Sequence, residues 1–283
     1  MKNKIPFLLC FVCFIFIASI VCCMKTSKNE KESVAMQTFE QEESINEIKL
    51  KTLLKNYTNV FPNLLEKDKN FITHILDNKQ EFLTDLEKVL ANDADNLFII
   101  ADKQHFLEEN FVPSDLVSLP KGKPYAINRN NLSLRQPVEQ ALVIMAEKAR
   151  EEGITLLVSS TYRSYDYQKM IYERNVREMG KEAADRESAA PGTSQHQLGV
   201  AIDFGSISDD FATTKAGLWM EQNAHLFGFS LSYPQGYESV TGYRWESWHY
   251  RYIGFLATEF QKKWFNDIQQ YMIEFIYAWR TSV

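Results

Sequence analysis

Residues 194–203 read SQHQLGVAID, and this stretch decides which fold the chain adopts. It offers an imidazole, His196, and a carboxylate, Asp203, separated by a glycine and small apolar residues. The run from Gly199 to Phe204 predicts a short buried strand, because apolar and β-branched residues suit such a strand. His196 would then lie just before the strand and Asp203 near its end.

A second stretch, residues 245–250, reads WESWHY and provides another imidazole, His249, with a carboxylate, Glu246, three residues earlier. Two histidines and one aspartate suit a catalytic zinc ion and leave its fourth position for water. Glu246 could then accept and pass on a proton if it lies beside the metal without binding it. Residues three apart on a regular strand face opposite sides, so we expect a turn or bulge between Glu246 and His249.

Spacing alone leaves a second interpretation open for this pair of stretches. A histidine near an aspartate is commonly a hydrogen-bonded structural residue, and the chain has five histidines. We interpret the other three, His74, His105 and His225, as surface or packing residues, since they lie in or near helical patterns.

The first 23 residues predict an export segment. Lys2 and Lys4 precede an uncharged apolar run over residues 5–23, and all four cysteines of the chain lie within it. Residues 20–23, IVCC, are similar to a relaxed lipobox with Cys23 as the lipidated residue, but the 19-residue run also suits an uncleaved membrane anchor. Simple cleavage is the third possibility. All three place the remainder outside the bacterial cytoplasmic membrane.

The remaining sequence predicts an α+β fold, a small sheet with flanking helices that follows a helical region. Residues 24–44 are polar and indicate a flexible tether, and residues 45–96 show helical spacing typical of a spacer or cap. From residue 97 to 283 we expect a single domain. Strands are predicted at 97–100, 154–158, 199–204, 227–232 and 248–253, and helices at 137–152, 166–179, 215–226 and 255–279.

Composition excludes two classes of function. A net charge of −6 gives no electrostatic footprint for nucleic acid. The part after residue 23 has no cysteine, which excludes disulfides, thiolate metal sites and nucleophilic cysteine chemistry there.

Five motifs in one order resemble the VanY-type D-alanyl-D-alanine carboxypeptidases, within the hedgehog- and lysostaphin-like group of zinc peptidases. They cover roughly residues 97–255 and comprise DK with FVPSDLV (102–103, 111–117), SSTYRSY with Gln168 (159–165), PGTS through Asp203 (191–203), NAHLFGF (223–229) and ESWHYRY (246–252). The resemblance implies that His196, Asp203 and His249 hold one Zn²⁺ ion.

The resemblance also implies roles for four other residues. Glu246 would be the general base, and Arg163 would bind a substrate carboxylate and stabilise the oxyanion of the intermediate. Gln168 and Ser194 would hydrogen-bond the substrate peptide. Without the resemblance, Arg163 could simply form a salt bridge that closes a strand-to-helix turn.

The implied activity is zinc-dependent removal of the terminal D-Ala from peptidoglycan stem peptides. The alternatives are an L,D-carboxypeptidase that acts on tetrapeptide stems, an endopeptidase acting on a cross-link, and a non-catalytic cell-wall binding module. The chain departs from the family pattern at three positions. Gln195 stands where Glu is frequent, Ser247 where Pro is frequent and Ser232 where Arg is common.

Overall fold

The structure, a computed structural model, describes residues 45–282 of the 283-residue chain. The predicted export segment (1–23) and tether (24–44) therefore lie outside the described residues. The chain divides into two compact units, residues 1–52 and 53–283, and residues 45–52 of the first are helical. Every helix within residues 45–282 is too short or too polar to cross a membrane.

Helices precede the sheet, as the apolar spacing over residues 45–96 predicts. Residues 45–55 form α1. Three more helices follow, α2 (Tyr57–Val60), α3 (Asn70–Asp77) and α4 (Lys79–Ala91). The buried side chains of α4 recur at three- and four-residue spacing, Phe82, Leu86 and Val89, so one face of the helix is apolar.

Within residues 45–282, seven short strands form two sheets and confirm the α+β prediction. An antiparallel pair joins β1 (Leu116–Ser118) to β3 (Ser133–Arg135). The main sheet has five strands in the spatial order β2 (Ala126–Ile127), β4 (Leu157–Ser160), β5 (Ala201–Phe204), β7 (His249–Tyr252) and β6 (Phe229–Leu231). Its pairs are antiparallel except for the edge strand β2, which runs parallel to β4.

Helices flank the main sheet. They are α5 (Gln136–Glu151), α6 (Tyr165–Met179), α7 (Lys181–Glu187), α8 (Lys215–Asn223), α9 (Glu238–Thr241), α10 (Phe255–Trp264) and α11 (Gln269–Thr281). Of these, α5, α6, α8 and the C-terminal pair lie close to predicted positions, whereas α7 and α9 have no predicted counterpart. Pro137 lies in the first turn of α5, where a missing N–H costs nothing. Ser164 caps α6 by accepting a hydrogen bond from the Tyr167 N–H.

The strand predicted at residues 97–100 is wrong. The segment is largely buried, but a distant side chain takes the place of a partner strand. The buried guanidinium of Arg251 donates from Nη2 to the carbonyl oxygens of Leu97 and Ile99, at 2.6 and 2.8 Å. These carbonyl groups are therefore satisfied without a β-ladder.

Two other boundaries differ from the prediction. The strand expected at 154–158 is β4, which begins at Leu157, because the Ile154 N–H bonds back to the Ala149 carbonyl at the end of α5. The single tail helix expected over 255–279 is two helices. Asn266 and Asp267 have φ angles of 51° and 61°, left-handed values that interrupt a helix.

An aromatic cluster joins α4 to the two C-terminal helices. The Phe82 ring is completely buried and lies 5.2–6.1 Å from the ring centroids of Phe260, Trp264, Phe265 and Phe275. Edge-to-face and tilted pairs at this distance are favourable beyond the area they bury. Part of the region before residue 97 thus shares a core with the C-terminal helices, while the predicted domain boundary at 96/97 stays a prediction.

Candidate active site

Three neighbouring strands bring the sequence-predicted residues to one end of the main sheet. In the register of the sheet, Asp203 on β5 pairs with His249 on β7, and Ser160 on β4 pairs with Asp203 from the other side. Paired residues project from the same face of a sheet. The register therefore places the Asp203 carboxylate beside the His249 imidazole.

His196 reaches the same point from a short 3₁₀ turn, Gln195–Leu198, that leads into β5. The Ser194 hydroxyl caps this turn by accepting from the His196 N–H at 3.3 Å. Gly199 ends the turn with φ of +69°, and a Cβ there would lie 3.0 Å from side-chain atoms of Arg135 and Leu116. Glycine therefore suits this position both for its backbone angle and for space.

The three predicted metal ligands form one compact, buried group. His196 Nε2 lies 3.2 Å from Asp203 Oδ2, and His249 Nδ1 lies 3.0 Å from Asp203 Oδ1. Each residue offers one ligand atom, and these atoms all lie within 4.8 Å of one another. Each of the three residues is at most 3% exposed.

Hydrogen bonds on the far side of each imidazole select its tautomer. His196 Nδ1 donates to the Thr161 carbonyl oxygen at 2.8 Å, and His249 Nε2 donates to Gln195 Oε1 at 3.2 Å. A carbonyl or amide oxygen can only accept, so with a cation bound between the imidazoles and Asp203 each of these far nitrogens bears the proton. His196 Nε2 and His249 Nδ1 would then be the nitrogens that coordinate the ion.

The charges of the group also fit a divalent cation. Burial, and then the Arg163 charge, lowers the pKa of His196 to about 4, which keeps its imidazole neutral. Burial works to raise the pKa of Asp203, but both imidazoles and Arg163 outweigh it and hold that pKa well below its usual range. Two imidazoles and a carboxylate are the donor set of a three-residue catalytic zinc site.

Glu246 lies beside this group without joining it. Its Oε2 is 3.7 Å from His249 Nδ1, and the turn predicted between the two residues is present, since the His249 N–H donates to the Glu246 carbonyl. Burial, and then the neighbouring Asp203 charge, raises the pKa of Glu246 to about 8. A carboxylate with a pKa near neutrality suits a residue that accepts and returns a proton.

Arg163 lies on the same cavity and contacts the aspartate. Its Nη2 donates to Asp203 Oδ2 at 2.7 Å, its Nε donates to Ser160 Oγ at 3.0 Å, and Nη1 lies 3.4 Å from Gln168 Oε1. The salt bridge weighed at the sequence level thus exists, but its partner is a predicted metal ligand. The bridge places a fixed positive charge beside the predicted metal position.

The two predicted substrate-binding residues differ in their placement. Ser194 lines the cavity together with Arg163 and the histidines. Gln168 is completely buried and does not line the cavity, and its Nε2 donates to the Ala189 carbonyl oxygen at 2.7 Å. The structure therefore places Gln168 behind Arg163 as a support, and direct contact of Gln168 with substrate stays a prediction.

Two of the three departures from the family pattern contact each other. Ser232 Oγ donates to Gln195 Oε1 at 2.7 Å, and both side chains are buried. Gln269 completes the group, with its Oε1 3.4 Å from Gln195 Nε2 and 3.2 Å from Ser232 Oγ. Uncharged side chains are therefore hydrogen-bonded at two positions, 195 and 232, where the Glu and Arg frequent in the family would place opposite charges. The oxygen of Gln195 still orients His249.

Sequence reasoning missed several residues that shape the site. The Tyr233 ring lies 4.7 Å from the His249 ring, centroid to centroid, and is buried against it. Arg244 lines the cavity and pairs with Glu187 at 3.0 Å. Thr161 acts through its backbone carbonyl, which no side-chain pattern reveals, although it lies inside the quoted SSTYRSY motif.

Comparisons with known proteins agree with this site. The family model described as VanY, D-alanyl-D-alanine carboxypeptidase, matches residues 131–255, which include every residue predicted for the site. The protein YodJ of Bacillus subtilis (strain 168) is 33% identical over 186 residues, covering 62% of this chain and 68% of YodJ. The chain belongs to the VanY family of D-alanyl-D-alanine carboxypeptidases.

Solved structures of VanY-type and related enzymes share the fold. The LD-carboxypeptidase LdcB is 33% identical with a TM-score of 0.56, and the match covers 62% of this chain and 83% of that one. A variant of the vancomycin resistance D,D-pentapeptidase VanY, in complex with Zn(II), is 28% identical with a TM-score of 0.51, covering 62% and 98%. The donor set of this VanY family member fits the same ion.

Proposed function

We propose that this protein is a zinc-dependent D,D-carboxypeptidase that hydrolyses the terminal D-Ala from peptidoglycan stem peptides. The observation that supports it most is the arrangement of four residues. His196, Asp203 and His249 form one buried donor set, and Glu246 Oε2 lies 3.7 Å from His249 Nδ1. Membership of the VanY family supports the substrate class.

The chain's own residues divide the work of hydrolysis. His196 Nε2, Asp203 and His249 Nδ1 would hold the ion, and the chemistry that zinc supplies in such a site is carbonyl polarisation and a lower pKa for a coordinated water. Glu246 accepts a proton from the attacking water and passes it to the leaving amine. Arg163 provides positive charge for the developing oxyanion or for the substrate's terminal carboxylate.

An L,D-carboxypeptidase is the second candidate, since the LdcB structure named as an LD-carboxypeptidase is 33% identical. The two activities share the zinc donors and the base. They differ in the stereochemistry of the residue before the scissile bond. A non-catalytic cell-wall module would not need Glu246 and Arg163 beside the donor set, so their presence favours an enzyme.

Separate pentapeptide and tetrapeptide stems distinguish the candidates. The zinc-loaded full-length protein is incubated with each, with and without a chelator, and the products are weighed by mass spectrometry. We expect chelator-sensitive loss of one alanine from the pentapeptide. Loss from the tetrapeptide alone would replace the proposal with the L,D activity. Zinc binding without any product from either stem would favour endopeptidase action or the binding module.

The proposed place of action is the outer side of the bacterial cytoplasmic membrane. The basic, apolar start of the sequence and the substrate class support it. Cell fractionation of the wild-type protein and of Cys23→Ala tests the lipid anchor, because only lipidation at Cys23 requires that thiol. A wholly cytoplasmic wild-type protein would contradict the proposed location.

A further inference from the structure

The catalytic cavity extends well beyond the zinc donors and is about 390 Å³ in volume. Three carboxylate residues line it, Asp203, Glu246 and Glu187, against four arginines. Asp203 pairs with Arg163 and Glu187 pairs with Arg244. Two further arginines, Arg129 and Arg174, pair with no carboxylate of the lining. The lining therefore keeps an excess of one positive charge when Glu246 is ionised and of two when it is protonated.

Arg129 is the less satisfied of the two. Within residues 45–282 no carboxylate lies at ion-pair distance from it, and its nearest polar contact is a long one, from Nη1 to the Tyr167 hydroxyl at 3.5 Å. Its Nε is buried without a hydrogen-bond partner. Arg174 has Glu178 at 4.0 Å and donates from Nη2 to Asn175 Oδ1 at 3.5 Å, a long contact. A half-buried guanidinium with unused donors matches a carboxylate ligand.

The order of the strands indicates how far Arg129 lies from the zinc donors. Arg129 follows the edge strand β2 by two residues and lines the same cavity as the donors. In the sheet, β4 lies between β2 and β5, the strand that carries Asp203. Two strand spacings therefore separate β2 from β5, roughly 10 Å, the length of about three extended residues.

A carboxypeptidase substrate has one residue on one side of the scissile bond and continues only on the other. A group about three residues from the donor set therefore contacts the upstream part of the stem. Stem peptides have free carboxylates there. One belongs to the γ-linked D-glutamate, and a second belongs to the third residue when it is diaminopimelate rather than lysine.

Resting on the proposed function, we propose that Arg129, assisted by Arg174, forms an anion subsite that binds a free carboxylate of the stem upstream of the scissile bond. The subsite makes the enzyme select stems by charge. Amidation of the glutamate removes the first candidate carboxylate, and lysine in place of diaminopimelate removes the second.

Four synthetic pentapeptides test the subsite, with D-glutamate or its amide at the second position and diaminopimelate or lysine at the third. Affinity is measured by calorimetry on the zinc-loaded full-length protein in a Glu246→Gln background, and kcat and KM by D-Ala release from the active protein. Arg129→Gln is compared with Arg177→Gln, an exposed arginine on the same helix as Arg174 that does not line the cavity.

Arg129→Gln should weaken binding of the doubly acidic peptide by about tenfold to a hundredfold, the range of a charge-assisted hydrogen bond. KM should rise with it while kcat changes little, and Arg177→Gln should leave both unchanged. If Arg129→Gln no longer weakens binding once the glutamate is amidated, the bound carboxylate belongs to the glutamate. If it no longer weakens binding once lysine replaces diaminopimelate, the carboxylate belongs to diaminopimelate.

An equal loss of affinity for the peptide that lacks both upstream carboxylates, or no loss for any peptide, would overturn the subsite. Calorimetry separates this result from failure of the proposed function. If the wild-type protein cleaves none of the four peptides but Arg129→Gln still weakens binding only of acidic ones, the D,D activity is wrong and the subsite stands.

Discussion

At the scale of single residues, the site consists of the predicted metal ligands and of the groups that orient them. The predicted ligands follow from the sequence, because His196, Asp203 and His249 lie in motifs that resemble those of the family. Their orientation does not, because Thr161 acts through its backbone and Gln195 reaches His249 across 54 positions of the chain. Contacts of that separation exist only once the fold has formed.

Glu246→Ala should retain zinc and lose turnover. Removal of a general base costs about 10²–10⁴-fold in kcat, while the metal donors are untouched. Zinc content by atomic absorption and the rate of D-Ala release are measured on the same preparation. Glu221→Ala, an exposed carboxylate on α8, is the matched control. Wild-type turnover in Glu246→Ala would remove Glu246 as the base.

Gln195→Ala should weaken zinc binding by about 10–100-fold, because the His249 Nε2–H loses the acceptor that fixes its tautomer. Competition with a coloured chelator measures the zinc affinity. Gln261→Ala is a fitting control, since Gln261 is buried and bonds to Ser230 and Asp267 away from the histidines. Equal zinc affinity in Gln195→Ala and the wild type would mean that Gln195 does not orient His249.

At the scale of elements, the sequence predicts those whose stability is local. The α6 helix begins at its Ser164 cap, and β5 follows the Gly199 turn, within two residues of the expected bounds. The segment 97–100 is mispredicted because Arg251, more than 150 positions away, satisfies its carbonyl groups. The break at Asn266 and Asp267 likewise depends on backbone angles that an apolar pattern does not encode.

A buried carboxyl group on α11 should make stability depend on pH. Burial raises the pKa of Glu274 from 4.5 to about 8, with a contribution from the Asp102 charge, although a hydrogen bond from Gln270 opposes it. The folded protein thus keeps a proton that the unfolded chain releases. This stability is complete below pH 4.5 and is lost as the pH rises through 8.

Chemical denaturation between pH 4.5 and 8 measures this effect against Glu274→Gln, which stays uncharged. The free energy of unfolding of the wild type should fall relative to the variant by more than about 1.4 kcal/mol, the equivalent of one pKa unit. Glu259→Gln, an exposed residue on α10, should follow the wild type. A constant difference between wild type and Glu274→Gln over this range would contradict the raised pKa.

At the scale of the whole molecule, the fold class and the catalytic region are predictable from ordered motifs, but the extent of the cooperative unit is not. The sequence separates a helical spacer, residues 45–96, from a domain over 97–283. Phe82 packs among aromatic rings of α10 and α11, so at least α4 contributes to the core beside those helices. Such packing joins residues far apart in the chain and leaves no local pattern.

Phe82→Ala should lower the free energy of unfolding by about 3–5 kcal/mol, the cost of a large cavity among aromatic side chains. Thr84→Ala, exposed on the same helix, should change it little. Unfolding is followed both by circular dichroism and by zinc release. If Phe82→Ala melts helix at a lower temperature while zinc release is unchanged, α4 unfolds separately and the predicted spacer is independent.

The central claim is that one zinc ion, held by His196, Asp203 and His249, is required to release D-Ala from a stem pentapeptide. The most direct test titrates zinc into the metal-free full-length protein and measures D-Ala release at each occupancy, with His196→Ala alongside. The account predicts that the rate of D-Ala release rises in proportion to zinc occupancy and saturates at one zinc per chain. His196→Ala should neither bind zinc tightly nor release D-Ala. Equal D-Ala release by the metal-free protein and the zinc-loaded protein would contradict it.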